Sequence, residues 1–241
     1  MKQLVILLLL PFSLVAQTHQ GAIVYERKTD LHRRLQDEQM KAMVPQFQTA
    51  DFQLVFSDSI AVFKAVPKEE GPDPFENTNG GGMHMNIRFS GPGDNGVAYK
   101  NYSSGKALEE TMLADKKYII TDSLKQPSWK LSEDTATLLG HLCKKATTTT
   151  PRGSKVLAWY TNDIPTPVGP EQFFGLPGAI LKVDVEEGLV VYSAKEIQPK
   201  ADSRDLKAPT GGRLITRADF MKKMDEVMGP PDAQGRRIMR N

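Results

Sequence analysis

A single cysteine, Cys143, stands in the whole chain. A protein with one cysteine can form no internal disulfide, so its stability has to come from its core, and a chain of 241 residues is long enough to build one. Histidine is scarce too, with His19, His32, His84 and His141 only. The sequence has no G-x-S-x-G elbow, no H-E-x-x-H and no glycine loop closed by Lys-Ser/Thr. That removes the serine-hydrolase, zincin and P-loop readings that rest on those motifs. Neither sign of charge dominates: 31 basic residues face 29 acidic ones. They are interspersed, which argues against a nucleic-acid binder; only the final "GRRIMRN" is locally basic. Beyond the first residues no apolar run approaches the roughly 20 residues needed to cross a bilayer as a helix.

What is present begins with "MKQLVILLLLPFSLVAQ". Lys2 is a short positive start, Leu4 to Leu10 an unbroken apolar run, and Ser13 to Ala16 supply small residues near a cleavage point. This is the pattern of a secretory signal peptide over residues 1–17. It predicts export, to the periplasm or the outer membrane, and no cysteine at the junction offers a lipid attachment point.

The rest alternates and turns. "GAIVYERK" predicts a first strand, and "DFQLVFSDSIAVFKAVP" two more around Ser57-Asp58-Ser59. Between them Leu31, Leu35, Met40 and Met43 follow helical spacing. Asp30 stands as the cap and Pro45 as the stop, so a helix is expected over 31–45. Residues 67–82, rich in Pro, Gly and charge, predict a solvated loop. Further strands are expected at Met85–Phe89, Val97–Asn101, 115–123, Trp129–Leu131, Gly140–Thr148, 155–161 and on both sides of Glu187-Gly188. "TRADFMKKMDEVM" has amphipathic helical spacing with Thr216 as cap, and residues 229–241 read as a loose tail. The fold expected is mainly β (α+β): one domain over 18–228, a strongly curved antiparallel sheet or incomplete barrel with one or two covering helices.

Three constellations could carry chemistry. His141 and Cys143 could pair as base and nucleophile of a hydrolase, although a small buried cysteine in a strand is the commoner reason for such a residue. Met83, His84 and Met85 offer thioether and imidazole ligands of the type that suits copper, an incomplete set that alternation splits between two faces. The aromatics Trp129, Trp159, Tyr160, Phe173 and Phe174 could line an apolar pocket under a curved sheet, or fill the core. The adjacent pairs Glu109-Glu110 and Glu186-Glu187 imply nothing by themselves.

"GPEQFFGLPGAIL" is the most distinctive stretch. Pro165, Pro167 and Pro170 force an extended path, and Gly169, Gly175 and Gly178 permit close backbone approach. Leu176-Pro177-Gly178 fits a type II turn. A phosphate cradle is unsupported, because a strand follows rather than a helix N-terminus. Gly175-Leu176-Pro177-Gly178-Ala179-Ile180, preceded by "VLAWYTNDIPTPVGP" and by "SWKLSEDTATLLGHLCKKA", resembles the GLPGLI family of exported bacterial proteins, with Ala179 where the family has Leu. The resemblance covers about residues 129–185 and takes in Gly169 and Pro170. It implies export in bacteria with an outer membrane, no known catalytic residue and no cofactor. By analogy the fold is expected to be similar to the LolA-type lipoprotein carriers, half-barrels with a helix lid. The function expected is non-enzymatic: an envelope protein binding an apolar small molecule, lipid or peptide, or an outer-membrane or periplasmic partner. A copper-handling protein and a Cys-dependent hydrolase are the alternatives.

Overall fold

The computed structural model describes residues 19–35, 37–67 and 96–229. The signal-peptide region, Met83-His84-Met85, the strand expected at 85–89, most of the 67–82 loop and nearly all of the tail lie outside the described residues. No helix among the described residues is long and apolar enough to cross a membrane.

Twelve strands form one open, curved sheet: β1 (Gly21–Asp30), β2 (Phe47–Phe56), β3 (Ile60–Ala65), β4 (Val97–Asn101), β5 (Lys106–Leu113), β6 (Lys116–Ser123), β7 (Lys130–Leu138), β8 (His141–Thr149), β9 (Lys155–Thr161), β10 (Ala179–Val185), β11 (Val190–Gln198) and β12 (Arg213–Thr216). The order across the sheet is β12-β6-β5-β4-β3-β2-β1-β11-β10-β9-β8-β7. Every neighbouring pair is antiparallel except β12, which lies parallel to β6. The expected curved antiparallel sheet is therefore present, open at β7 and β12. β5 and β12 are strands that the sequence pattern did not indicate.

Register fixes which side chains share a face, because side chains alternate along a strand. Ile23–Leu54–Phe63–Ala98–Glu109–Ile120 is one continuous row of cross-strand partners, and Lys100–Ala107–Asp122 is another. Tyr25 pairs with Phe52 and Arg27 with Tyr192 on the same face. Over β1–β3 this inner face is a core: Ile23, Tyr25, Phe52, Leu54 and Phe63 are essentially fully buried. Phe52 and Phe63 stack with ring centres 5.1 Å apart, and Tyr192 packs edge-on against both.

Among the described residues two segments cover the inner face. The connection 162–178 between β9 and β10 folds onto it, and its Ile164, Val168, Phe173 and Leu176 enter the core cluster. Tyr25 donates its hydroxyl proton to the Ile180 carbonyl at 2.6 Å, pinning the strand that follows the connection. The second cover is α2 (Arg217–Met228), capped as expected by the Thr216 hydroxyl, which accepts from the Asp219 N–H. Phe220 of α2 packs against Leu113, Tyr118 and Ile120.

The helix expected over 31–45 is corrected. β1 runs on to Asp30, a short 3-10 turn follows at His32–Arg34, and only Glu38–Met43 forms a helix, α1. Asp37, not Asp30, caps α1, and α1 buries no residue. Leu31 is buried as an extension of β1, and Met43 is exposed, so the apolar spacing served two different surroundings. Of the two α-helices among the described residues, α2 is the one that acts as a cover.

Candidate functional site

The connection 162–178 is held by backbone geometry that its prolines and glycines permit. Gly178 donates its N–H to the Leu176 carbonyl at 2.7 Å, a γ-turn centred on Pro177. A type II turn would send the Ala179 N–H to Leu176; that N–H instead donates to Ile164 at 2.9 Å, so the expected turn type is corrected. A second γ-turn is centred on Pro167, where the Val168 N–H donates to Thr166 at 2.8 Å. Pro170 accepts from the Phe173 N–H at 2.9 Å, closing a turn in which Glu171 has a left-handed φ of 47°. A non-glycine residue rarely adopts that conformation, and it aims the Glu171 side chain into the sheet.

There Glu171 meets the inner face. Tyr192 donates its hydroxyl proton to Glu171 Oε1, and Arg27 lies 3.9 Å from the same oxygen. Arg27 also stacks its guanidinium over Phe52, 4.8 Å from the ring centre. Lys100, only 6% exposed, donates from Nζ to the Glu171 backbone carbonyl and stands 5.3 Å from the centre of the Phe174 ring. Burial lowers the Lys100 pKa from 10.5 to about 8, with the Glu171 charge opposing the shift. Burial pushes the Tyr192 hydroxyl well up, and the neighbouring Glu171 carboxylate adds to that.

Beyond this cluster the other described residues leave the inner face of β4–β6 open between the 170–174 turn and the start of α2. The result is a cavity of about 570 Å³. Its floor is Ala98, Lys100, Ala107, Glu109 and Ile120; its walls are Leu124, Pro127, Phe173 and Phe174. The linker from β6 to β7 straps the wall in place. Trp129 donates its indole N–H to the Phe174 carbonyl at 2.9 Å, and Gln126 donates to the Gly175 carbonyl at 3.1 Å. At the α2 end Arg217 lines the cavity and is matched by carboxylates, 2.6 Å from Glu109 and 3.5 Å from Asp122. The lining is predominantly apolar with a few fixed polar groups, the make-up of small-molecule sites, and the volume falls in their usual range of roughly 300–1,000 Å³.

The residues expected to bind a ligand separate into three groups. Phe173 and Phe174 are buried and line the cavity. Trp129 stands behind them, 6.5 Å from Phe173 ring to ring, and faces a shallow groove with Leu131, Leu176 and Pro177. Trp159 and Tyr160 line neither; they belong to the core around β9 and its margin. Gly169, Pro170, Gly175, Leu176, Pro177 and Gly178 build the turns that carry Phe173 and Phe174. Lys100, Glu171, Arg27 and Tyr192 were not singled out from the sequence. The available signal was the alternation Ala98-Lys100-Tyr102, which sets a lysine in an inward position.

His141 and Cys143 do not make a nucleophile–base pair. Cys143 is fully buried, its Sγ lies 3.6 Å from the His141 backbone carbonyl, and the His141 ring faces Asp163 at 2.8 Å. Burial pushes the thiol up to about 11, the opposite of what an activated nucleophile needs. Among the described residues no cluster of three or more His, Cys, Asp or Glu could hold a metal ion.

Residues 101–182 match the model of a family described as a protein of unknown function (Porph_ging). No curated relative matches the sequence. The fold is similar to that of PNGF-II in two crystal forms. In the C2 form the TM-score is 0.56 at 16% identity, over 85% of this chain and 32% of that one. In the P21 form it is 0.56 at 15% identity, over 86% and 33%. The chain thus spans about a third of the length of PNGF-II, and at these identities the likeness is one of fold.

Proposed function

We propose that this is an exported envelope protein that binds an apolar or amphipathic small molecule, lipid or peptide in the cavity between β4–β6, the 170–174 turn and α2. The observation that carries the reading is the cavity itself: apolar-lined, walled by Phe173 and Phe174, and fixed in shape by hydrogen bonds from Trp129 and Gln126. The part of the inner face that the described residues leave open offers this kind of site, with the 170–174 turn as one wall. The N-terminal signal-peptide pattern supports export, to the periplasm or the outer membrane. The GLPGLI-like segment supports the same placement, and the family-model match over residues 101–182 is compatible with it. Binding requires no reacting group, and the buried, high-pKa Cys143 supplies none.

Native mass spectrometry of protein purified gently from its own host's envelope tests the proposal. The expected result is a population heavier than the bare chain by a single adduct that organic solvent removes. Protein that emerges only as the bare chain, and that takes up no alkyl amphiphile when offered one, would contradict it.

A further inference from the structure

Lysine is among the residues least often buried without a paired opposite charge. Lys100 is buried with its nearest carboxylate, that of Glu171, acting on it from beyond ion-pair distance while engaged by Tyr192 and Arg27. Its Nζ donates to the Glu171 carbonyl and stands over the Phe174 ring, and neither partner is a carboxylate. Among the described residues no carboxylate oxygen lies within ion-pair distance of it. The other cations nearby are matched differently: Arg217 contacts Glu109 and Asp122, and Arg27 faces the carboxylate of Glu171. An ammonium has three N–H donors, and one is committed to the Glu171 carbonyl. Lys100 therefore presents an ammonium that no carboxylate of the described residues contacts directly, at the floor of a largely apolar cavity, where an anion gains more from it than it would in water.

On the strength of the binding reading above, we infer that Lys100 recognises the anionic head group of a single-chain amphiphile whose apolar tail fills the cavity. A carboxylate or a phosphate monoester meets this chemistry. Near Lys100 the Glu171 carboxylate is engaged by Tyr192 and Arg27. At the α2 end two carboxylates, Glu109 and Asp122, one and two strands away, share the single guanidinium of Arg217. This orients the head toward Lys100 and the tail along Ala98, Ala107 and the phenylalanine wall.

Calorimetric titration of decanoate, decyl phosphate and decanol at neutral pH tests the inference on the wild type, Lys100→Met and Lys100→Arg. In the wild type at least one anion is expected to bind about tenfold or more tighter than decanol, the strength of a hydrogen bond to a charged group. Whichever anion binds more tightly identifies the head group as carboxylate or phosphate. Lys100→Met takes up decanol but loses the preference; Lys100→Arg keeps it. Decanol binding as tightly as both anions in the wild type, or a preference that survives in Lys100→Met, overturns the role of Lys100 and leaves the cavity as an apolar site. No binding of any of the three to the wild type overturns the binding reading as well. The wild-type comparison decides the matter even if a variant fails to fold.

Discussion

Gly178→Ala lowers the melting temperature by about 6–12 °C, corresponding to roughly 3 kcal/mol for a domain of this size. Two effects add. Gly178 has a φ of 148°, which side-chain-bearing residues rarely adopt, and a Cβ there would lie 2.0 Å from the Thr161 carbonyl oxygen. That oxygen is backbone in β9, and Thr161 is paired with both Cys143 and Ala179, so it cannot swing aside as a flexible side chain could. Gly188→Ala is the internal control. Its φ is 98°, but a Cβ would meet nothing within 4 Å, so only the conformational cost of about 1 kcal/mol remains. Equal melting temperatures for the two variants would show that the approach of the γ-turn to β9 contributes nothing.

Lys100→Met raises stability at pH 7 by on the order of 2 kcal/mol. Burial of this charge costs more than the Glu171 carboxylate, which lies beyond ion-pair distance, returns, and the depressed pKa reports that net cost relative to a well-packed apolar side chain. The lost hydrogen bond to Glu171 offsets about 1 kcal/mol of the gain. The sign of the pH dependence follows from the direction of the shift. Below pH 8 both folded and unfolded chains carry the proton and the full cost applies. Between about 8 and 10.5 the folded protein releases it first, the unfolded chain binds more protons, and stability rises with pH. Other buried groups act in the opposite sense. The Cys143 thiol is pushed up from 9.0 to about 11, so its contribution is lost as pH rises past 9, and the raised hydroxyls of Tyr25, Tyr102 and Tyr192 follow above 10. The rise is therefore confined to about pH 8–9, with a gain of about 1 kcal/mol at most. Urea unfolding of the ligand-free protein across this window is expected to show the rise in the wild type and none in Lys100→Met. A variant less stable than the wild type, or one that keeps the rise, would contradict the assignment.

The strands that form the core were legible in the sequence because their inner positions are apolar. Ile23 and Tyr25, and Phe52, Leu54 and Phe56, gave alternation that the structure realises in β1 and β2. β5 was illegible for the complementary reason. Its inner positions, Ala107 and Glu109, face the cavity rather than a packed layer, so the alternation that marks a half-buried strand is missing. The same holds for Lys100 in β4. The weak pattern over residues 106–113 reflects the site, since a strand lining a cavity has no core to match. Apolar spacing over 31–43 misled in the other direction: Leu31 ends a strand while Met43 is solvent-exposed, and no single helix face joins them. The turns of the 162–178 connection were legible as turns, from their prolines and glycines, but not as γ-turns. Which carbonyl takes the Ala179 N–H depends on Ile164 lying beside it in space. The destination of Glu171 was hidden for the same reason, because Arg27, Lys100 and Tyr192 reach it from three distant strands.

The claim that the uncovered inner face of β4–β6 is a binding site is tested most directly by filling it. Ala107 lies on the cavity floor, so a phenylalanine there occupies empty space rather than displacing packed atoms. Calorimetric titration with decanol, on wild type and on an Ala107→Phe variant that melts as a folded protein, is the measurement. The wild type is expected to bind a single ligand with a negative heat-capacity change, the mark of apolar burial, and Ala107→Phe to lose that binding. Equal binding by the two proteins would place the ligand elsewhere and contradict the account.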